Sequence, residues 1–144
     1  MTIFDKIADT YQQIQSLYNK LFFLEVQATT PKSGEITGMP KEGGSTTNPI
    51  ERYIIRKEEI QAKIHAKENT LKELWKCALD LMKQAGVDGQ TIKMMYMRFC
   101  RGMLWKECAA KMNKLFPNCT WNENKCFRKY REVLTKVYNL NAQK

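Results

Sequence analysis

The sequence contains a single histidine, His65, and its five cysteines form no Cys-x-x-Cys pair. Structural zinc sites normally show closely spaced ligand pairs, so the pattern disfavours a metal site. The chain also lacks a Ser-His-Asp set and paired carboxylates in an apolar setting, which disfavours the common forms of acid–base and nucleophilic catalysis. We therefore expect a protein that is not an enzyme and needs no metal or other cofactor.

Long apolar runs are absent too. A membrane-spanning helix needs a run of about 18 apolar residues, and the sequence contains no such run. The first residues also lack the charged segment followed by an apolar core that marks a signal peptide. An odd number of cysteines without an export signal favours reduced thiols in the cytoplasm. We expect no membrane partner, and cysteines that act as small buried hydrophobic residues. They are Cys77, Cys100, Cys108, Cys119 and Cys126.

Positive charge is abundant and unevenly distributed. The 24 Lys and Arg residues exceed the 15 Asp and Glu residues, which gives a net charge of +9. Residues 1–48 carry 4 basic and 5 acidic groups, residues 49–85 carry 8 and 6, and residues 86–144 carry 12 and 4. This excess in the last third favours an anionic partner, with nucleic acid first and an acidic membrane second. The alternative is a basic segment that serves only solubility.

Glycine and proline concentrate in residues 29–48, which hold four of the seven glycines and two of the four prolines. Helical periodicity stops there, so we predict a flexible linker. Within it, Gly38, Gly43 and Ser45 fit a phosphate-binding loop, but Gly44 replaces its lysine. Such a loop also needs a preceding strand and a helix directly after it. The segment is therefore predicted to be a hinge and not a nucleotide site.

Apolar residues recur every three or four positions before and after this linker, which predicts two helices. The first follows Thr2, which can form a capping box with Asp5, and ends near residue 28. The second runs from Pro49 to residue 85, with Asn48 as N-cap and Gly86 as its stop. Such a long amphipathic helix needs a partner, either the first helix folded back as a hairpin or a second chain. Residues 1–85 are predicted to form this coiled-coil-like hairpin.

Three shorter helices are predicted in residues 86–144, at about 89–100, 104–113 and 121–138. Thr120 and Glu123 have capping-box spacing before the last of them. The predicted inward-facing residues of the first two are Ile92, Met95, Tyr96 and Phe99, then Leu104, Cys108, Ala109 and Met112. The predicted fold class is therefore all-α, with a long helical hairpin followed by a three-helix domain.

The last helix has two contrasting faces when it is projected at 100° per residue. Its apolar face holds Cys126, Phe127, Tyr130, Val133, Leu134 and Val137. Its polar face holds Asn122, Asn124, Lys125, Arg128, Lys129 and Lys136, and Trp121 falls on the same side. Such a helix suits the DNA major groove, because Asn reads adenine while Arg and Lys read guanine or bind phosphate. A solvated charged face is the alternative, and for Trp121 packing against the preceding helix is an equal option.

Two segments resemble a known family. The stretch MYMRFCRGMLWKECAAKM, residues 95–112, is similar to helix-turn-helix domains of the sigma-factor region 4 type at Gly102, Trp105, Glu107 and Ala109. The stretch TGMPKEGGSTTNPIERYI, residues 37–54, resembles the segment before the long helix in small phage regulators of the ArpU/RinA kind. This sequence departs from the family pattern at Leu104, at Cys108 and in its longer turn at residues 113–119.

The resemblance implies a regulator of late genes, most often an activator, encoded by a phage or prophage and acting in the bacterial cytoplasm. It implies a helix-turn-helix domain in residues 86–144 that binds double-stranded DNA through the last helix. The hairpin would then form a homodimer or contact host RNA polymerase. The rival interpretation is a non-catalytic coiled-coil adaptor that binds RNA polymerase or phage packaging components.

Overall fold

The computed structural model describes residues 2–29 and 49–142, and within them it contains five helices and no strand. The helices are α1 (Ile3–Thr29), α2 (Pro49–Gln84), α3 (Gly89–Phe99), α4 (Trp105–Leu115) and α5 (Glu123–Ala142). The predicted all-α class is confirmed. Predicted and observed helix ends agree within two residues, except that α5 continues to Ala142 instead of residue 138.

Some predictions fall outside the described residues. These are the linker beyond Thr29, the glycine-rich stretch from Gly38 to Ser45, and the proposed N-cap Asn48.

The predicted signals at the start of α1 and the end of α2 are confirmed. The Thr2 backbone N–H donates to Asp5 Oδ2 over 3.0 Å, and the Asp5 N–H donates to Thr2 Oγ1 over 3.2 Å, which completes a capping box. At the end of α2, Gly86 has φ +77°. The N–H groups of Gly86 and Val87 bond to the carbonyls of Lys83 and Met82. This pattern is a Schellman motif, which needs the left-handed conformation that glycine adopts most easily.

The chain divides into two compact units, Met1–Gln12 with Asn69–Lys144, and Gln13–Glu68. We call them the first and second unit. This division differs from the predicted domains 1–85 and 86–144, because the ends of α1 and α2 contribute Phe4, Ile7, Ala78 and Met82 to the core around α3–α5. Independent folding of residues 86–144 remains a prediction.

The first unit has an extensive apolar core to which all five helices contribute. Helices α3, α4 and α5 contact one another in each pairing. The buried apolar residues from these three helices are Met94, Met95, Met97, Phe99, Cys108, Ala109, Met112, Cys126, Val133 and Val137.

The predicted inward set of α3 and α4 needs one correction and two additions. Leu104 is 62% exposed, because it occupies the N-cap position of α4 with extended backbone and no side-chain capping bond. Its side chain therefore precedes the helix instead of joining its apolar face. Met94 and Met97 are buried although they lie outside the predicted face, because α3 is covered by neighbours on more than one side.

Gly102, in the connection between α3 and α4, has φ +65°. A Cβ atom at this position would collide with the ring of Tyr11. The position therefore requires glycine for two independent reasons, the left-handed backbone and the close approach of an aromatic ring.

The second unit contains residues of α1 and α2 in its described part, and its buried apolar residues are Ile14, Ile60 and Ile64. The Tyr18 hydroxyl donates to Glu68 Oε1 over 3.2 Å, and Lys57 Nζ lies 3.5 Å from Glu25 Oε1. The later residue of α1, Glu25, contacts the earlier residue of α2, Lys57, while Tyr18 contacts Glu68. The two segments therefore run antiparallel in this unit.

Candidate nucleic-acid interface

The connection from α4 to α5 is fixed by one side chain of α4. The backbone N–H of Trp121 donates to Asn113 Oδ1 over 2.7 Å, and Asn113 Nδ2 donates to the Trp121 carbonyl over 2.9 Å. Both polar groups of the Trp121 backbone are thereby satisfied within a turn that has no regular structure. This bidentate contact determines where α5 begins relative to α4.

Trp121 is a correction to the predicted DNA-contacting residues. Its side chain is only 4% exposed and belongs to the core of the first unit, because the Asn113 contact turns it inward before the helix begins. Its indole N–H is buried without a partner among the described residues. The Lys125 ammonium lies 4.4 Å from the ring centroid, which is a cation–π contact. Trp121 therefore packs as a core residue and holds Lys125 in place.

The N-cap of α5 is Asn122, and the predicted capping box of Thr120 and Glu123 is wrong. Asn122 Oδ1 accepts from the Lys125 N–H over 2.7 Å, which is the side-chain bond of an N-cap to the third helical residue. The Thr120 carbonyl instead accepts from Lys125 Nζ over 3.1 Å. The side-chain amide oxygen of Asn122 is thus used for capping. Because that oxygen is no longer available to a base edge, Asn122 is a weaker candidate for base recognition than its position alone suggests.

The apolar face of α5 is largely as predicted. Cys126, Val133 and Val137 are buried in the core. The Tyr130 ring lies 5.4 Å from that of Phe99 and 5.3 Å from that of Trp105, centroid to centroid. Phe127 is the exception, since it is 45% exposed and covers the edge of Trp105 at 6.2 Å. α5 is therefore anchored to α3 and α4 by an aromatic cluster.

The opposite face of α5 carries exposed polar and cationic side chains. Asn124, Arg128 and Lys136 are exposed, and the side chain of none of the three has a hydrogen bond or ion pair within residues 2–29 and 49–142. Lys129 differs, because its Nζ lies 3.6 Å from Glu132 Oε2 on the same helix. Lys125 is half-buried over Trp121. The predicted residues are thus brought to one helix surface but are not equally available.

Arg131 is an exposed cation on α5 that the sequence prediction missed. Its guanidinium lies 5.8 Å from the Phe127 ring centroid. In the helical projection, Arg131 falls at the edge of the polar face and next to apolar positions. It was therefore not included among the predicted DNA-contacting residues. The sequence signal that could have found it is its spacing of three from Arg128 and seven from Asn124, which places all three on one helical stripe. Exposed lysines on α4 were also missed, namely Lys106, Lys111 and Lys114.

Arg98, like Lys125, is a cation of the basic third that stabilises the fold. Arg98 donates to the Met103 carbonyl over 2.9 Å, and its guanidinium lies 4.7 Å from the Trp105 ring centroid. It therefore braces the connection between α3 and α4. The positive charge of this region is shared between such internal contacts and the exposed surface.

The prediction of buried cysteines is confirmed for Cys108 and Cys126, whereas Cys100 and Cys119 are half-buried. It is wrong for Cys77, which is exposed on α2. Burial raises the pKa of Cys100 to about 12. Burial, together with Cys126 nearby, raises the pKa of Cys108 to about 11. Thiols with such pKa values stay protonated at neutral pH and are poor nucleophiles. In the described part of the chain, no cluster of three or more His, Cys, Asp or Glu side chains could hold a metal ion.

No family model matches the sequence, and neither a curated protein nor a solved structure matches the chain. None of the helices in residues 2–29 and 49–142 combines the length and apolar character that crossing a membrane requires.

Proposed function

We propose that this chain is a non-enzymatic DNA-binding transcriptional regulator that places α5 in the major groove. The observation that carries the proposal is the exposed stripe of Asn124, Arg128 and Arg131 on a helix whose other side is buried in the core. A helix that is anchored on one side and polar on the other can enter a groove about 12 Å wide. We call these three residues the α5 stripe.

The chemistry of the α5 stripe suits base recognition. The residues are spaced by four and three, so they project from one side of α5 within about 60° of each other at 3.6 residues per turn. An asparagine amide can pair with the edge of adenine, and an arginine guanidinium with the edge of guanine. Lys125, Lys129 and Lys136 form a second stripe beside them, which suits phosphate contacts.

The surrounding architecture is part of the proposal. We assign α3–α5 to a helix-turn-helix domain of the sigma-factor region 4 type and the paired parts of α1 and α2 to a helical hairpin. The antiparallel contacts of Tyr18 with Glu68 and of Lys57 with Glu25 support the hairpin. Phe22 and Val26, which are 64% and 39% exposed, support a homodimer through α1. The resemblance to ArpU/RinA regulators supports a role in phage or prophage late-gene control, with host RNA polymerase as a further partner.

The proposal is tested by fluorescence anisotropy of the full chain with labelled random duplex at several salt concentrations. Binding to DNA releases counterions, so we expect the affinity to fall steeply as salt rises. Replacement of Arg128 and Arg131 by alanine should weaken binding at every salt concentration. On random duplex, which offers no preferred base, these arginines contact phosphate instead. The double variant should therefore also lower the slope of log K against log salt, by about 1 for each phosphate contact that is lost.

The matched control is the double variant Lys72→Ala with Lys76→Ala. It removes the same number of positive charges from exposed positions of α2 in the first unit. We expect it to change binding much less than the variant of the α5 stripe. Equal losses in the two variants would show that only net charge matters, and absence of binding at low salt would favour the adaptor interpretation.

A further inference from the structure

The second unit contains an open groove with a volume of about 890 Å3 between α1 and α2. Its lining residues fall within residues 17–27 of α1 and residues 52–63 of α2, where they recur at spacings of three and four. The groove therefore follows one side of the paired helices for about three turns, roughly 16 Å at 1.5 Å per residue.

The floor of this groove is apolar. Five apolar residues line it, of which Leu17, Leu24 and Ile60 are buried or half-buried, whereas Phe23 and Ile55 are exposed. Phe23 is 64% exposed and Ile55 is 51% exposed, although both are large apolar side chains. Burial of such side chains against a partner is favourable because it removes apolar surface from water. This arrangement has the dimensions and spacing of a groove that receives one amphipathic helix.

The rim of the groove is strongly basic. Its charged residues are four cations and a single carboxylate, namely Lys20, Arg52, Arg56, Lys63 and Glu59. Lys20, Arg56 and Lys63 are exposed and form no ion pair with any described residue. A net charge of +3 around an apolar floor attracts acidic groups that flank an apolar stripe.

We infer that the groove between α1 and α2 of the second unit binds an acidic amphipathic helix of another protein. The apolar side chains of that helix lie on the floor, at i, i+3, i+4 and i+7, and its Asp and Glu residues face the basic rim.

A second copy of this chain is a poor occupant of the groove. Two copies joined at this face would bring two rims of net charge +3 together, and like charges across an interface oppose association. Phe22 and Val26 lie on the opposite side of α1 from Leu24, about 160–200° away at 100° per residue. A homodimer through those residues would adjoin the groove at Phe23, whose ring lies 6.4 Å from that of Phe22, but would leave the Leu24 side of the groove open. The inference therefore goes beyond the proposed DNA binding and does not rest on it.

The test uses a fluorescein-labelled synthetic peptide of about 14 residues with leucines at i, i+3, i+4, i+7 and i+11 and glutamates at the flanking positions. The peptide is titrated with the full chain, and anisotropy gives the affinity. Two control peptides have the same length, one with lysine in place of every glutamate and one with the residues in scrambled order. We expect saturable binding of the acidic amphipathic peptide, and binding at least tenfold weaker for both controls.

The protein variant that reports on the rim is Arg56→Glu with Lys63→Glu, and the matched control is Lys72→Glu with Lys76→Glu. Both variants reverse two charges at exposed positions of α2, so circular dichroism should show that each folds. We expect the rim variant to weaken peptide binding at least tenfold and the control to change it less than threefold. Phe23→Ala, which leaves the rim charges unchanged, should weaken binding about three- to tenfold.

Several results would overturn the inference. Equal affinity for the glutamate and lysine peptides, or equal effects of the rim and control variants, would remove the charge argument. Light scattering could also show that the chain is a dimer and that Ile55→Asp converts it to a monomer. In that case the groove would bind a second copy of this chain and not another protein. The rim variant should keep the DNA affinity of the control variant, so failure of the groove and failure of the proposed DNA binding are separate results.

Discussion

The two units of this chain differ in how far they bury their apolar residues. The first unit has an extensive core in which Phe4, Met94, Met95 and Met112 are fully buried, and its exposed large apolar residues are Leu104, Leu115, Phe127 and Tyr138. In the second unit the large side chains Phe22, Phe23, Ile54 and Ile55 are between 46% and 64% exposed. A helix pair has only one shared face, whereas several helices can cover one another from more than one side.

The difference separates two kinds of surface. In the first unit, apolar burial fixes the orientation of α5 and leaves an outer face that is polar and cationic. In the second unit, the exposed apolar side chains form the surface that is available to a partner. Large exposed apolar patches are typical of protein interaction sites, whereas cationic helix faces suit nucleic acid. We therefore expect substitutions of the same type to act on stability in one unit and on binding in the other.

The largest effect is expected from the same substitution made in both units. Phe99 is 7% exposed and its ring lies near those of Phe4, Trp105 and Tyr130. Phe99→Ala should lower the free energy of unfolding by about 3–5 kcal/mol. Phe23→Ala, at a position that is 64% exposed, should change it by less than about 1 kcal/mol. Urea denaturation followed by circular dichroism measures both, and similar losses would break the contrast between the units.

A second pair of variants tests how tightly the first unit is packed. Gly102→Ala places a Cβ in the left-handed region and against the Tyr11 ring. It should lower the free energy of unfolding by about 2–4 kcal/mol. Gly89 has no atom within 4 Å of an added Cβ, so Gly89→Ala should be neutral or stabilise by up to about 1 kcal/mol. Thermal denaturation of both variants gives the comparison, and a neutral Gly102→Ala would contradict the close approach.

The start of α5 provides a smaller effect that decides between two caps. Asn122→Ala removes the oxygen that accepts from the Lys125 N–H and should lower the free energy of unfolding by about 1 kcal/mol. Thr120→Ala should change it by less than about 0.5 kcal/mol, because only the Thr120 carbonyl is used. Both are measured by urea denaturation. A larger loss of stability for Thr120→Ala than for Asn122→Ala would support the Thr120 capping box that the sequence predicts.

The smallest expected effect is the dependence of stability on pH that arises from Asp88. Partial burial raises the pKa of Asp88, but hydrogen bonds from Thr91 and the nearby charge of Lys129 outweigh it, so the pKa lies below its usual value. A lowered pKa in the folded state means that the Asp88 carboxylate stabilises the fold above pH of about 4. This stabilisation is lost as pH falls through the folded-state pKa.

Asp88→Asn should therefore cost at most about 0.5 kcal/mol at neutral pH, and the difference from the unchanged chain should shrink in acid. Urea denaturation at several pH values measures it. A difference that grows as the pH falls would contradict the direction of the pKa shift.

Much of the fold was readable from the sequence because its signals are local. The period of apolar residues, the Thr2 capping box and the Gly86 stop each depend on neighbours within one or two turns. The errors arose where distant residues decide the outcome. Trp121 turns inward because Asn113, eight residues earlier, binds its backbone, and this contact also moves the cap from Thr120 to Asn122.

The candidate sites show the same division. The polar face of α5 follows from periodicity, but its unequal availability does not. Lys129 and Lys125 are engaged by Glu132 and Trp121, while Arg131 is exposed. The groove of the second unit could not be predicted, because its lining needs the relative register of two helices that are separated in sequence.

The central claim, that the α5 stripe contacts DNA, is tested most directly by amide chemical-shift mapping. A short duplex is titrated into the 15N-labelled full chain, and shift changes are compared along the sequence. We predict the largest changes at Asn124, Arg128 and Arg131, with little change at Phe23 and Ile55. Changes confined to the groove residues, or no changes at low salt, would contradict the claim.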